Sequence, residues 1–149
     1  MNIAEANRVT SFLCNSCIEM LKVIYPLVEE DLNDDSADNL PYYDHLGDNV
    51  MCTLNFADLV LSEVTKDEMD ELKAATAKDV SEKIRATKVR IIEKMWTFRT
   101  RAKEIDGSWE YEVNAFLLGL MEEENHQSNL EAIRTCEGSL REIVKELEK

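Results

Sequence analysis

The stretch "VSEKIRATKVRIIEKMWTFRTRAKEI", residues 80–105, decides the fold. Val80, Ile84, Ile91, Met95, Phe98, Ala102 and Ile105 recur at steps of three, four and seven, which lines up one face of an α-helix. Val89, Ile92 and Trp96 widen that face, so the pattern predicts a long helix in a central position. Gly107 is its natural stop, because glycine takes the left-handed conformation just past a helix end without a Cβ penalty.

The same period runs through most of the chain. Ile3, Ala6, Thr10, Leu13, Cys17, Met20 and Ile24 predict a first helix from Ile3 to Tyr25, with a kink at Pro26, which has no N–H to donate. Leu27, Val28 and Leu32 carry the stripe a further turn before a polar loop over 33–43 that Pro41 closes. Leu46, Val50, Leu54, Ala57, Leu61 and Val64 predict a second helix over 44–64, opened by Asp44 as N-cap. "TKDE" at 65–68 fits a capping box, which predicts a helix start at Lys66, and a phase slip near Ala77 splits this region into a short helix and the long one. Ser108 can cap a helix with Val113, Phe116, Leu117, Leu120 and Met121 on one face. "EEENHQSN" at 122–129 then interrupts the apolar pattern. Ser128 with Glu131 offers a further capping box there, and either a break or one long, partly polar helix fits. Leu130, Ile133, Leu140, Ile143 and Leu147 follow.

No stretch alternates with period two, and there are only four Gly and two Pro in 149 residues, so strands are not expected. The expectation is an all-α fold, a single-domain helical bundle over residues 1–149 with four or five main helices. The longest strongly apolar run, "VNAFLLGLM" at 113–121, is about half a membrane span, and the N-terminus lacks the pattern of a secretory leader. A cytoplasmic protein is expected. Four Cys then read as reduced thiols.

Charge is the most distinctive feature. The net charge is −14, and the negative residues are grouped. Residues 29–48 hold eight carboxylates, Glu29, Glu30, Asp31, Asp34, Asp35, Asp38, Asp44 and Asp48, without a Lys or Arg. A second block free of Lys and Arg runs from Glu104 to Ile133 and includes Glu110, Glu112, Glu122 and Glu123. Between them, residues 84–103 carry seven Lys or Arg against Glu93 alone. Pairing between this basic helix and acidic neighbours is one use of the pattern, but no pairing removes the net charge. A surface of this sign repels nucleic acid and anionic membrane and attracts basic surfaces.

Two readings of the acidic blocks follow, a solvated surface and a docking face for a basic protein. Carboxylates one helical turn apart present a row of separate anions, somewhat as a phosphate backbone does. In size, charge and helicity the chain is similar to small acidic helical proteins that inhibit nucleic-acid enzymes. Tyr42 and Tyr43 within the first block are candidate interface anchors, while Trp109, which with Tyr111 lies in the second, reads as core. The expected partner is a basic protein surface, including that of a nucleic-acid-binding protein, with no direct nucleic acid and no membrane. A homodimer through the broad apolar faces is the further alternative.

Catalytic and metal signatures are sparse. Cys14 and Cys17 have the spacing of redox dithiols and zinc knuckles but fall within a predicted helix, and only Cys52, Cys136, His45 or His126 could complete a zinc site. Glu123 and His126 have the Glu-x-x-His spacing of di-iron bundles. With Asp44, His45 and Asp48, this layout resembles the DinB-type metal-binding bundle family, which typically uses three His where this chain has two. The resemblance implies a metal-dependent bundle enzyme with His45, Asp48, Glu123 and His126 as ligands. There is no Gly-rich phosphate loop, nucleophile elbow or His-Glu-x-x-His motif. The leading expectation is therefore a non-enzymatic acidic binding protein that uses no cofactor.

Overall fold

In the computed structural model, residues 1–34, 38–105 and 123–149 are described, with backbone alone at 31–32, 40, 44, 91–105 and 123–129. They form four helices and no strand: α1 (Ile3–Asn33), α2 (Leu40–Asp67), α3 (Glu71–Ile105) and α4 (Glu123–Leu147). The all-α bundle read from the periodicity is present. The helix proposed over Val113–Met121, its Ser108 cap, the Gly107 stop and Trp109 lie outside the described residues.

Helix packing follows chain order around a ring, α1 on α2, α2 on α3, α3 on α4 and α4 on α1. Every neighbouring pair is antiparallel. On α1 and α2, Cys17 Sγ donates to the Val50 carbonyl at 3.7 Å and Asn39 Nδ2 to the Leu27 carbonyl at 3.2 Å, so the chains run in opposite directions. On α2 and α3, Asp58 meets Arg85, while Asn55, nearly a turn earlier, meets Lys88, nearly a turn later. Lys83 reaches Glu146 across α3 and α4, and Ser11 reaches Glu148 across α1 and α4. Four inward stripes close the core, led by Leu54, Leu61, Ile84, Leu140, Ile143, Val50 and Val80.

Several boundaries differ from the sequence reading. α1 passes through Pro26 to Asn33. Pro26 lies on the exposed face, where water can satisfy the carbonyl its ring leaves without a partner. α2 begins at Leu40, with Pro41 in its first turn, so Asp44 lies inside the helix instead of capping it. "TKDE" is not a capping box: α2 continues through it, and Thr65 Oγ1 donates back to the Leu61 carbonyl at 2.6 Å. The cap of α3 is Asp70, whose Oδ1 accepts from the N–H groups of Leu72 and Lys73 at 3.0 and 3.1 Å. A single α3 replaces the short helix and the long one, and α4 runs through Ser128 without a break. Nor is α3 central. It occupies one corner of the ring and leaves Val89 exposed.

α1 is also long and apolar enough to cross a membrane by length and composition, with a mean hydropathy of 1.3 in its most apolar window. Its apolar residues are interspersed with Ser, Thr and Asn, so no unbroken run betrays it in the sequence. In the folded chain Ala6, Cys14, Cys17, Ile18 and Leu21 of this helix are buried core.

Candidate functional site at the acidic end of the bundle

The topology brings the first acidic block to one end of the bundle. With neighbours antiparallel, the C-terminal end of α1, the N-terminal end of α2, the C-terminal end of α3 and the N-terminal end of α4 share one end of the bundle. Residues 29–48 form the α1–α2 corner of that end. The helix ends that bracket residues 106–122, at Ile105 and Glu123, lie there as well. Glu110, Glu112 and Glu122 fall outside the described residues, and for Asp35 and the side chains of Asp31, Asp44 and Glu123 the same holds.

At the α1–α2 corner Glu29, Glu30, Asp34 and Asp38 are exposed, and so is Asp48 one helical turn beyond His45. Among the described residues, no cation pairs with Glu29, Glu30, Asp34 or Asp38. The turn is held by backbone and amide hydrogen bonds: the Asp34 N–H donates to the Glu30 carbonyl at 2.9 Å, and the N–H groups of Tyr42 and Tyr43 to the Asn39 carbonyl at 3.0 and 3.1 Å. Glu29, Glu30 and Asp31 occupy the last turns of α1, which has no basic residue in its last turn. A helix C-terminus already carries about half a negative charge, so anions there oppose the helix dipole and cost roughly 0.3–1 kcal/mol each.

The tyrosine pair divides. Tyr42 is exposed, whereas Tyr43 is buried in the core, because consecutive helical positions point about 100° apart. Tyr43 is therefore removed from the expected docking surface.

The basic helix is partly docked. Arg85 Nε donates to Asp58 Oδ2 at 2.9 Å, Ser81 donates to Oδ1, and Ser62 donates to Oδ1 at 3.4 Å. Burial would raise the Asp58 pKa, but the hydrogen bonds from Arg85 and Ser81 and the charges of Arg85 and Lys88 hold it below the usual carboxylate value. Lys88 donates to Asn55 Oδ1 at 3.1 Å, and Lys83 bridges Asp79 and Glu146 at 2.9 and 2.7 Å. Internal pairing is thus one use of the basic block. In the α2–α3 register, the backbone positions of Lys94, Arg99, Arg101 and Lys103 stand on the part of α3 level with the start of α2.

His45 is exposed on α2, and the helix carrying Glu123 and His126 lies across the ring from α2. The side chains of Glu123 and His126, half of the expected ligand set, lie outside the described residues, among which no three His, Cys, Asp or Glu side chains are grouped to hold a metal ion. Cys14 and Cys17 are fully buried at mid-helix, and burial pushes both thiols up to about 12, the charge of one raising the other at Cys17. They are neutral thiols in the core near pH 7, with Cys17 bonded to the Val50 carbonyl.

The fold and this end define an acidic, antiparallel all-α bundle. Compared with family models, curated proteins and solved structures, the chain matches none.

The carboxylates of the acidic segment and Tyr42, singled out in the sequence, are exposed where they are described, whereas Asp58 was not singled out. A lone Asp between Ala57 and Leu59 gives no motif; the available signal was its place on the inward face of α2, opposite a helix rich in Arg and Lys.

Proposed function

We propose that this chain is a non-enzymatic, cytoplasmic binding protein that engages a basic protein partner through the acidic end of its bundle. It acts as an inhibitor by presenting carboxylates where a nucleic-acid-binding protein would otherwise meet phosphates. The observation that carries the reading is the exposed run Glu29, Glu30, Asp34 and Asp38, set without a described cationic partner, the first three where the α1 dipole disfavours anions. Local rules broken without a structural return are characteristic of functional surfaces.

The long-range field supports the same reading. A net charge of −14 steers basic surfaces inward and raises their association rate at low salt.

Capture on the immobilised protein from cell lysate, washed with rising salt, tests this function. Basic nucleic-acid-binding proteins should be retained at low salt, elute as ionic strength rises and be displaced by added duplex DNA or RNA. Retained proteins that are neutral or acidic, and indifferent to nucleic acid, would contradict it.

A further inference from the structure

The α1–α2 side of the bundle carries a second feature that the charge reading does not use. Phe12 is 70% exposed, Tyr42 65%, Phe56 54% and Val23 49%. On α1, Ser11 and Tyr25 mark the flank facing α4, through Glu148 and through Arg134 stacked 4.2 Å from the Tyr25 ring centroid. Leu27, whose carbonyl meets Asn39, marks the flank facing α2. Phe12 and Val23, eleven residues apart and so on one helical line, lie between the outward direction and that α2 flank. On α2, Asn55, Asp58 and Ser62 face α3, which leaves the line through Tyr42 and Phe56 on the flank towards α1.

The Cys17–Val50 and Leu27–Asn39 contacts fix the register, in which Phe12 is level with Phe56 and Val23 with Tyr42 to within a couple of residues. The groove between the two helices is therefore crossed by two exposed apolar rungs. Phe12 and Val23 are roughly 16 Å apart along the axis, about three helical turns. The Val23–Tyr42 rung stands beside Glu30 and Asp38, at the acidic end. From Val23 to Thr65 the chain has no Lys or Arg, so this stretch of α1 and α2 sets no Lys or Arg against a cationic partner.

We infer that this groove receives a cationic amphipathic helix of the partner protein, its apolar line on the Phe12–Phe56 and Val23–Tyr42 rungs and its basic residues at Glu30, Asp34 and Asp38. This rests on the basic-partner reading and names the partner's form. The charge decides the occupant: a second copy would bring two anionic faces together, and an anionic bilayer would be repelled by the same carboxylates. A helix whose apolar stripe is flanked by Lys or Arg meets both halves of the surface.

Two synthetic peptides of identical Leu and Lys composition serve as probes, one with its Leu at helical spacing and one scrambled to remove that stripe. Fluorescence anisotropy should show the amphipathic peptide binding the full chain at least about tenfold more tightly than the scrambled one. The Phe12→Ala and Phe56→Ala double variant should lose that preference while keeping the salt-sensitive binding both peptides share. Equal binding of both peptides by the native chain, or a preference that survives the double variant, would overturn the groove and leave the basic-partner reading standing. Failure of both peptides to bind at low salt would overturn the two together. Because both phenylalanines are exposed, the double variant should keep its Tm within a few degrees. A larger fall, or a native dimer that the variant converts to monomer, would mean that this chain or its own copy covers the face, and would overturn the proposal.

Discussion

Arg85 donates from Nε to the Asp58 carboxylate at 2.9 Å, tying the basic helix to the middle of α2 at a point where Asp58 is nearly withdrawn from water. Arg85 remains about half exposed, so the pair has one dry and one wet partner. Asp58→Ala should cost about 1–3 kcal/mol, since it strands the Ser81 and Ser62 hydroxyls at the interface. Arg85→Ala should also destabilise near pH 7, because it removes the main counter-charge of a carboxylate that is nearly withdrawn from water. Urea unfolding of both variants and of the double variant gives the coupling between them, which should be favourable, the double variant losing less than the two single losses added.

The pH dependence follows from the same pair. The folded-state pKa of Asp58 lies below the ordinary carboxylate value, so its contribution is fully present above about pH 4 and is lost as pH falls through the folded value. The stability gap between the native chain and Asp58→Asn should be constant from pH 7 to about pH 5 and narrow below pH 4. A gap that widens on acidification would contradict the assignment.

Neutralising the acidic corner should not harm the fold. Glu29→Gln and Glu30→Gln remove anions from the last turns of α1, so each should leave stability unchanged or raise it by about 0.3–1 kcal/mol in thermal or urea unfolding. A loss exceeding about 1 kcal/mol would show that these carboxylates have a structural partner.

The start of α3 separates two capping arrangements. Asp70→Ala should cost about 1 kcal/mol, while Thr65→Ala, which breaks only a hydrogen bond back to its own helix, should cost less than about 0.5 kcal/mol. The reverse order would restore the capping box suggested by "TKDE".

The four cysteines should divide by burial. Cys52 is exposed, while Cys14, Cys17 and Cys136 are buried and burial raises their pKa. In the native protein one thiol should react promptly with an aromatic disulfide reagent, and Cys52→Ser should abolish that phase. The other three should react only on unfolding.

Inward stripes were legible because they depend on spacing alone: Val50, Leu54, Ala57 and Leu61 on α2, and Val80 and Ile84 on α3, are buried where the 3.6-residue period places them. Helix ends were not. At 65–68 the local sequence fits a capping box, yet Thr65 stays helical because Leu61 and Val64 carry the packed face of α2 up to it, and tertiary packing outweighs a cap of about 1 kcal/mol. The anionic segment was visible as composition. Its setting at one end of the bundle was not, because it depends on the antiparallel order of all four helices. Tyr42 and Tyr43 look alike in sequence and were told apart only by the phase of a helix that begins at Leu40 and not at Asp44. Asp58 was hidden for a related reason, since its role depends on which helix faces it.

The central claim is that placement of the carboxylates, beyond their number, governs recognition. Two variants with the same net charge test it most directly: Glu29→Gln, Glu30→Gln, Asp34→Asn and Asp38→Asn at the acidic corner, and Asp67→Asn, Glu71→Gln, Glu82→Gln and Glu142→Gln elsewhere on the exposed surface. Stopped-flow association with poly-L-lysine at low salt should slow by about tenfold or more in the first and by much less in the second, the difference fading as salt screens the field. Equal slowing in both would mean that the negative charge acts as a diffuse total, and the acidic end would lose its role.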